Sequence, residues 1–337
     1  MIRKNIYKIL RLGTKIKSTR LKLFGIWLLH CSHKRYIGIF LDPILACNLR
    51  CKMCYFSDPE KRKTYRGSFT QEDITRIAQS LFHRALKLQI GCGAEPTLYK
   101  ELDQVIALGK QYGIPYISLT TNGNLLTKDA LEKAIIAGLD ELTLSVHGLT
   151  RETYEFMMTN GKFEIFQRLL SDIEELKKRY PHFKLRINYT INPDNMDELK
   201  YLWTVIKEID ILQLRPIQKI GNSVYQNFNR EYLYSHYDEI INPIKQECQR
   251  RNITCLIPEK WNLKTLEDDK NDDRIEQATY CYISPCGCWK DDFDFRKDTF
   301  ESYAQRTHMG RHLFTSLFHR VNKRKVDITR KMNYNIN

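Results

Sequence analysis

The first 41 residues contain no aspartate or glutamate, an absence that sets them apart from the rest of the chain. They hold ten Lys or Arg. Residues 305–337 are nearly as one-sided, with eight basic residues against the single acid Asp327. Residues 42–304 carry 36 basic and 39 acidic groups, so the net charge of +14 belongs to the two ends. Such charge suits nucleic acid or an anionic membrane surface. Basic tails more often solvate or dock on their own protein, so nucleic acid is not the expected partner. Long apolar runs are missing too. The longest near the N-terminus, Leu23–Leu29, is far short of the ~18 residues that span a bilayer. A long basic lead precedes it and no small-residue cleavage site follows, so it does not read as a signal peptide. Ile2, Ile6, Ile9 and Leu10 recur at helical spacing among Arg3, Lys4, Lys8 and Arg11, the pattern of a basic amphipathic helix. Packing on the body is the preferred reading of that helix and a membrane surface the second. The expected location is cytoplasmic, with peripheral membrane attachment as its variant. No internal repeat or low-complexity tract is present, and 337 residues suffice for one large domain with an appendage.

Ten cysteines without a secretory signal argue against a disulfide framework, and six of them fall in two tight groups that suggest metal. Short β-prone runs at 36–41, 88–92, 116–120, 141–146, 184–191 and 211–217 alternate with amphipathic stretches near 70–86, 100–112, 127–138, 162–180 and 195–208. Thr70 (with Asp73 three residues on) and Thr127 are expected helix caps. The alternation indicates an α/β fold with a parallel sheet covered by helices. Six strand–helix units curl into a partial (β/α)6 TIM-like barrel or lie flat as a doubly wound sheet. Either way, chemistry belongs at the C-terminal ends of the strands. A helix near 231–251 and a short strand at 253–257 follow, then an acidic stretch, Glu267–Asp273, that reads as a solvated linker. The expected organisation is a basic segment at 1–35, the barrel core at 36–222, a small cysteine-rich extension at 223–304 and a basic tail at 305–337.

Cys47, Cys51 and Cys54 are spaced C-x3-C-x2-C directly after the first strand. Iron–sulfur clusters are normally held by four thiolates, so a local trio leaves one iron open to a substrate or cofactor. Structural zinc usually shows paired knuckles instead, and the strand-end position favours catalysis. The motif and its setting resemble the radical S-adenosylmethionine superfamily over about residues 36–220. The resemblance implies that the trio binds a 4Fe–4S cluster whose open iron chelates S-adenosylmethionine. Reductive cleavage then gives a 5′-deoxyadenosyl radical that abstracts substrate hydrogen. Met53 stands where the family often has an aromatic residue. Gly91-Cys92-Gly93-Ala94-Glu95-Pro96 is similar to the family's Gly-Gly-Glu-Pro motif, which implies that Gly91, Gly93 and Glu95 meet the cofactor's amino group. Thr121 and Asn122 lie in a turn that resembles its Thr-Asn-Gly motif. Relatives commonly place a serine near the cofactor's ribose or carboxylate at the end of strand four, here Ser145. His147 shares a face with Ser145 and is either a general acid or base or a satisfied barrel-mouth histidine. Arg186, Asn188 and Arg215, on strands five and six, are further candidates; the arginines suit a carboxylate or a surface ion pair.

Cys281, Cys286 and Cys288 resemble a shortened extension of the SPASM/twitch type, which implies a second iron–sulfur cluster with Cys255 as a fourth ligand. Zinc on the same four is the alternative. Cys31, Cys92 and Cys248 read as small apolar residues, Cys92 near the active site. The expected function is radical chemistry on a peptide or protein, with electrons from a flavodoxin or ferredoxin. A small metabolite or cofactor precursor is the alternative substrate. A zinc-binding, nucleic-acid-associated protein is the alternative of another class.

Overall fold

A computed structural model describes residues 13, 15–218, 223–263, 267–269, 272–319, 324–326 and 334–336. The apolar positions of the expected N-terminal amphipathic helix, Ile2 to Leu10, lie outside them. The strands are β1 Ile37–Leu41, β2 Ala85–Ile90, β3 Tyr116–Thr121, β4 Glu141–Val146, β5 Lys184–Ile191, β6 Ile211–Pro216, β7 Thr254–Pro258, β8 Glu267–Asp269, β9 Tyr280–Ser284, β10 Gly287–Cys288, β11 Arg324–Val326 and β12 Tyr334–Ile336. Ten of them form one sheet in the order β10-β9-β1-β2-β3-β4-β5-β6-β7-β12. From β9 through β7 every neighbouring pair is parallel, and β10 and β12 add antiparallel edges. The fold is mixed α/β and matches a partial TIM-like barrel.

Alternation along the strands decides which face meets the helices. Ile37, Ile39, Leu41, Leu88, Ile90, Leu142, Leu144, Ile187 and Leu212 are buried in a single core. The residues between them are mostly polar, and pairing registers keep them in rows: Gln89 beside Ser118, Thr143 beside Arg186, Ser145 beside Asn188, Thr190 beside Arg215. A filled TIM barrel packs this inner face with branched apolar side chains. Here the row is hydrophilic.

The covering helices are α1 Thr19–Cys31, α2 Gln71–Leu81, α3 Leu102–Gln111, α4 Lys128–Ala137, α5 Phe163–Arg179, α6 Tyr237–Arg250, α7 Phe300–Arg306 and α8 Met309–Ser316. Thr70 and Asp73 form a reciprocal capping box on α2, and Thr127 accepts the Ala130 amide at α4. The stretch expected as a helix near 195–208 is instead a 3₁₀ segment, Met196–Tyr201, with one α turn after it. Its buried residues, Met196, Leu199 and Leu202, recur every third position, the period of a 3₁₀ helix.

Residues after 223 do not stand apart from the barrel. β7 extends the sheet beyond β6, and β9 lies on the other side of β1. Cys281, Ile283, Phe293 and Phe300 share the core of the first strands. The acidic stretch expected as a solvated linker supplies β8, which pairs antiparallel with the basic β11, Asp269 opposite Arg324. Among the described residues no helix is long and apolar enough to cross a membrane.

Candidate functional site

The polar inner row opens, at the C-terminal ends of the strands, into a cavity of about 260 Å³. Cys47, Cys51 and Cys54 line it together on the loop after β1. The loop is held from three sides. The Arg50 and Lys52 amides donate to the carbonyls of Thr159 and Met157 (each 2.9 Å), and Lys52 in turn accepts the Tyr225 amide at 3.1 Å. The Arg50 guanidinium folds back on the Cys47 carbonyl at 2.6 Å. Met53 packs with Met157, Ile217 and Tyr225 in a small apolar cluster, and Met53 and Ile217 also line the cavity. Burial pushes the Cys47 thiol up to about 12, with the charges of Glu95 and Cys54 adding to it. It also raises Cys51 and Cys54. Burial thus favours the protonated thiols, and metal binding would displace those protons.

Asp42, the first residue past β1, was not singled out in the sequence. It is 1% exposed and gathers the backbone of the glycine motif: Oδ1 accepts the Cys92 amide at 2.7 Å and Oδ2 the Gly93 amide at 2.9 Å. The Tyr282 hydroxyl on β9 completes the set at 2.8 Å. Burial raises the Asp42 carboxyl, and these hydrogen bonds oppose the rise. Only glycine fits at 91, where φ is +80° and a Cβ would lie 2.3 Å from the Thr120 carbonyl oxygen. At Gly93 a Cβ would meet the Tyr55 hydroxyl, which donates to the Gly93 carbonyl.

Glu95 is nearly fully buried, and its carboxylate ties the end of β2 to the end of β3. It accepts from the Thr97 amide (3.1 Å), the Thr97 and Thr121 hydroxyls (each 2.6 Å) and the Asn122 amide (2.8 Å). Burial raises this carboxyl as well, against those four donors. These four contacts fix Thr121 and Asn122, and Glu95 itself lines the cavity. Asn122 then turns its amide nitrogen to Asn48 at 2.8 Å, beside Cys47.

Ser145, His147, Asn188 and Arg215 line the same cavity from β4, β5 and β6. His147 is 9% exposed with no hydrogen-bond partner for Nδ1, and burial lowers it to about 4, helped by the Arg215 charge. Burial thus favours the neutral imidazole, against a contact with the Val146 backbone that favours the charged form. Arg186 does not reach the cavity, which corrects the sequence expectation. It shares a face with Asn188 but sits two residues deeper, hydrogen-bonded to Gln213 at 2.5 Å and ion-paired with the fully buried Glu141 at 3.4 Å. Tyr116 also donates to Glu141, at 2.7 Å. Lys87 faces this interior too, against the Gln89 side-chain oxygen at 3.2 Å, and burial lowers its ammonium. Cys92 lines the cavity and is exposed, as Cys31 is, so neither is the buried apolar residue expected, whereas Cys248 is buried. Sequence alternation alone would have found Lys87, Gln89 and Glu141 once β2 and β4 were placed.

The second cysteine group is not assembled with Cys255. Cys255 lies on β7 against Cys248, whereas Cys281 lies on β9, with β1 to β6 between them in the sheet. Cys281 is fully buried in the core, Cys288 is half-buried and Cys286 is exposed, near the Arg66 carbonyl.

Among the described residues no three His, Cys, Asp or Glu converge on a single metal ion. Cys47, Cys51 and Cys54 are the residues that would hold an iron–sulfur cluster here. Three free thiols around one cavity, a glycine-lined wall and a neutral imidazole fit a cluster with an attached organic cofactor.

Comparison with known proteins agrees with the geometry. The model of the radical SAM superfamily matches residues 42–201. A probable GTP 3′,8-cyclase from Saccharolobus islandicus is 28% identical over 215 residues, covering 61% of this chain and 66% of the relative. Its counterpart from Saccharolobus solfataricus is 31% identical over 180 residues, covering 51% and 55%. The chain thus spans just under two thirds of the first of these curated relatives and about half of the second. Among solved structures, Streptococcus suis SuiB bound to S-adenosylmethionine superimposes with a TM-score of 0.62 at 17% identity, over 82% of this chain and 67% of that one. The anSMEcpe structure with bound AdoMet gives 0.52 at 17% identity, over 66% and 63%. These last two show a shared fold.

Proposed function

The chain carries a radical SAM superfamily domain at residues 42–201, and from that premise we propose that it cleaves S-adenosylmethionine reductively and abstracts hydrogen from a small polar substrate. Domains of this kind use a 4Fe–4S cluster and S-adenosylmethionine, and when bound the pair supplies a 5′-deoxyadenosyl radical. The observation that carries the reading is the convergence of Cys47, Cys51 and Cys54 with the Gly91–Glu95 turn on one cavity.

In this reading the three thiolates hold the cluster. The backbone of Gly91 to Ala94, pinned by Asp42, receives the cofactor's amino group. Thr121 and Asn122, fixed by Glu95, orient its amino-acid end, and Ser145 lies within reach of its sugar. His147 stays neutral and offers substrate or cofactor a hydrogen-bonding nitrogen rather than a charge. Arg215 supplies positive charge at the cavity wall. A flavodoxin or ferredoxin fits the need for a one-electron donor.

The hydrophilic inner row, with Lys87 and the exposed Cys92 facing it, suits a small polar molecule entering the barrel. A peptide or protein, expected from the cysteine-rich C-terminal segment, is the second reading, and Cys255 standing apart from the other three places it behind the first. The test is anaerobic reconstitution with iron, sulfide and a reductant, followed by a 5′-deoxyadenosine assay. Wild type is expected to form deoxyadenosine, and the Cys47→Ala, Cys51→Ala, Cys54→Ala variant to form none and to lose its iron. Zinc in wild type with no deoxyadenosine would overturn the proposal.

A further inference from the structure

α1 buries Leu23 and Ile26 and turns Leu21, Phe24 and Leu28 to solvent, 57%, 41% and 47% exposed. Spaced i, i+3, i+7, these three form one stripe along the helix. The stripe continues onto α8. Phe24 stacks on Trp27, Trp27 meets Phe314 with ring centroids 5.1 Å apart, and Phe314 meets Phe318 at 5.5 Å. Phe318 is 69% exposed. Large apolar side chains from opposite ends of the chain thus stand in the open as one connected patch, of the kind that marks an interaction surface.

Positive charge borders it. Lys15, Lys17 and Arg20 are exposed and Lys22 half-buried, and residues 13–35 contain no acid. None of the four forms an ion pair with a described residue, whereas Arg76, Arg296 and Arg306 are paired with Glu72, Asp73 and Asp292. The nearby Asp272, which accepts from Thr19, is already held by both sides of the Arg274 guanidinium. The sequence before Lys15 adds Arg3, Lys4, Lys8 and Arg11.

We propose that this face binds an anionic lipid bilayer, with the Leu21–Phe24–Leu28 and Phe314–Phe318 patch in the headgroup boundary and Lys15, Lys17, Arg20 and Lys22, before and at the start of α1, on lipid phosphates. An exposed apolar patch beside unpaired Lys and Arg suits the boundary of an anionic bilayer, which takes up apolar side chains and attracts the cations. A second copy of the chain is a poorer occupant, because it would press two uncompensated basic faces together. Nucleic acid would use the cations and leave the aliphatic residues uncovered. The C-terminal end of α1 meets Tyr36 and Arg84, which precede β1 and β2, so the face lies at the opposite end of the strands from the cavity. Docking therefore leaves the cavity open to water. This inference is independent of the reaction proposed above.

The test is co-sedimentation of the full chain with vesicles of phosphatidylcholine alone or mixed with phosphatidylglycerol. Wild type is expected to pellet only with the mixed vesicles. Phe24→Ser, Leu28→Ser, Phe318→Ser together should lower partition at least tenfold, and Lys15→Gln, Lys17→Gln and Arg20→Gln about fivefold each. The melting transition is expected to stay unchanged. Leu21→Ser alone replaces the triple variant if that variant fails to melt cooperatively, and is expected to weaken partition severalfold. Three outcomes would overturn the proposal: wild type left in the supernatant, apolar variants that bind as tightly as wild type, or duplex RNA that displaces the protein from the vesicles and binds those variants undiminished.

Discussion

At the scale of single residues, Gly91 and His147 give the plainest expectations. Gly91→Ala places a side chain against the Thr120 carbonyl in a left-handed backbone. Strain of that kind costs about 1–3 kcal/mol before the clash is counted, so the urea midpoint should fall and deoxyadenosine formation with it. His147 is about 4 in the folded chain against 6.5 unfolded. The unfolded chain then takes up the extra proton between those values. The stability linked to the neutral ring is complete above pH 6.5 and is lost as pH falls toward 4, on the order of 3 kcal/mol in all. Urea unfolding of the cofactor-free chain at pH 7, 5.5 and 4.5 should show His147→Gln losing less than wild type. Asp42 and Glu95, which burial raises, act in the opposite direction, so the difference between the two proteins is the quantity to read. Arg186 shows what residue types alone leave undecided. It and Asn188 share a strand face, and a step of two residues, about 6.7 Å, separates an interior ion pair from the cavity wall.

At the scale of elements, β9 matters more than its five residues suggest. Tyr282→Phe removes the hydroxyl from Asp42 and is expected to weaken S-adenosylmethionine binding severalfold while leaving the iron content unchanged; equilibrium binding and iron counting together check this. The cysteines around β10 are expected to be silent in metal content. Cys286→Ser with Cys288→Ser should retain the wild-type iron per chain, and a loss of half the iron would restore a second cluster. The cysteine trio and the first six strands were legible because their signals are local: a spacing within eight residues, and alternation within single runs. The place of β9 was not, since nothing near residue 280 records that its neighbour is β1. The same non-locality hid Asp42, whose importance appears only when amides from the β2 turn and a phenol from β9 arrive around it.

At the scale of the whole molecule, the segment after residue 223 supplies strands on both sides of the first six in one continuous sheet. Ending the chain after Pro258 would remove β9 and leave β1 as an open edge beside the cysteine loop. The shortened chain is expected to elute as aggregate in size-exclusion chromatography, where a barrel with a separable extension would stay monomeric. The charge asymmetry read in the sequence also takes on meaning only at this scale. Contact between α1 and α8 turns the chain's two ends into one apolar face with a basic border, while the near-neutral middle builds the cavity at the other end.

The contact between Asp42 and Tyr282 also orders events in time. A ribosome releases Asp42 and the cysteine loop early, and Tyr282 only 240 residues later. Until then the carboxylate lacks its third donor and β1 lacks one of its neighbours. On the function proposed above, a growing chain is expected to be a poor acceptor for iron and sulfide, with cluster delivery after translation, once β9 has paired with β1.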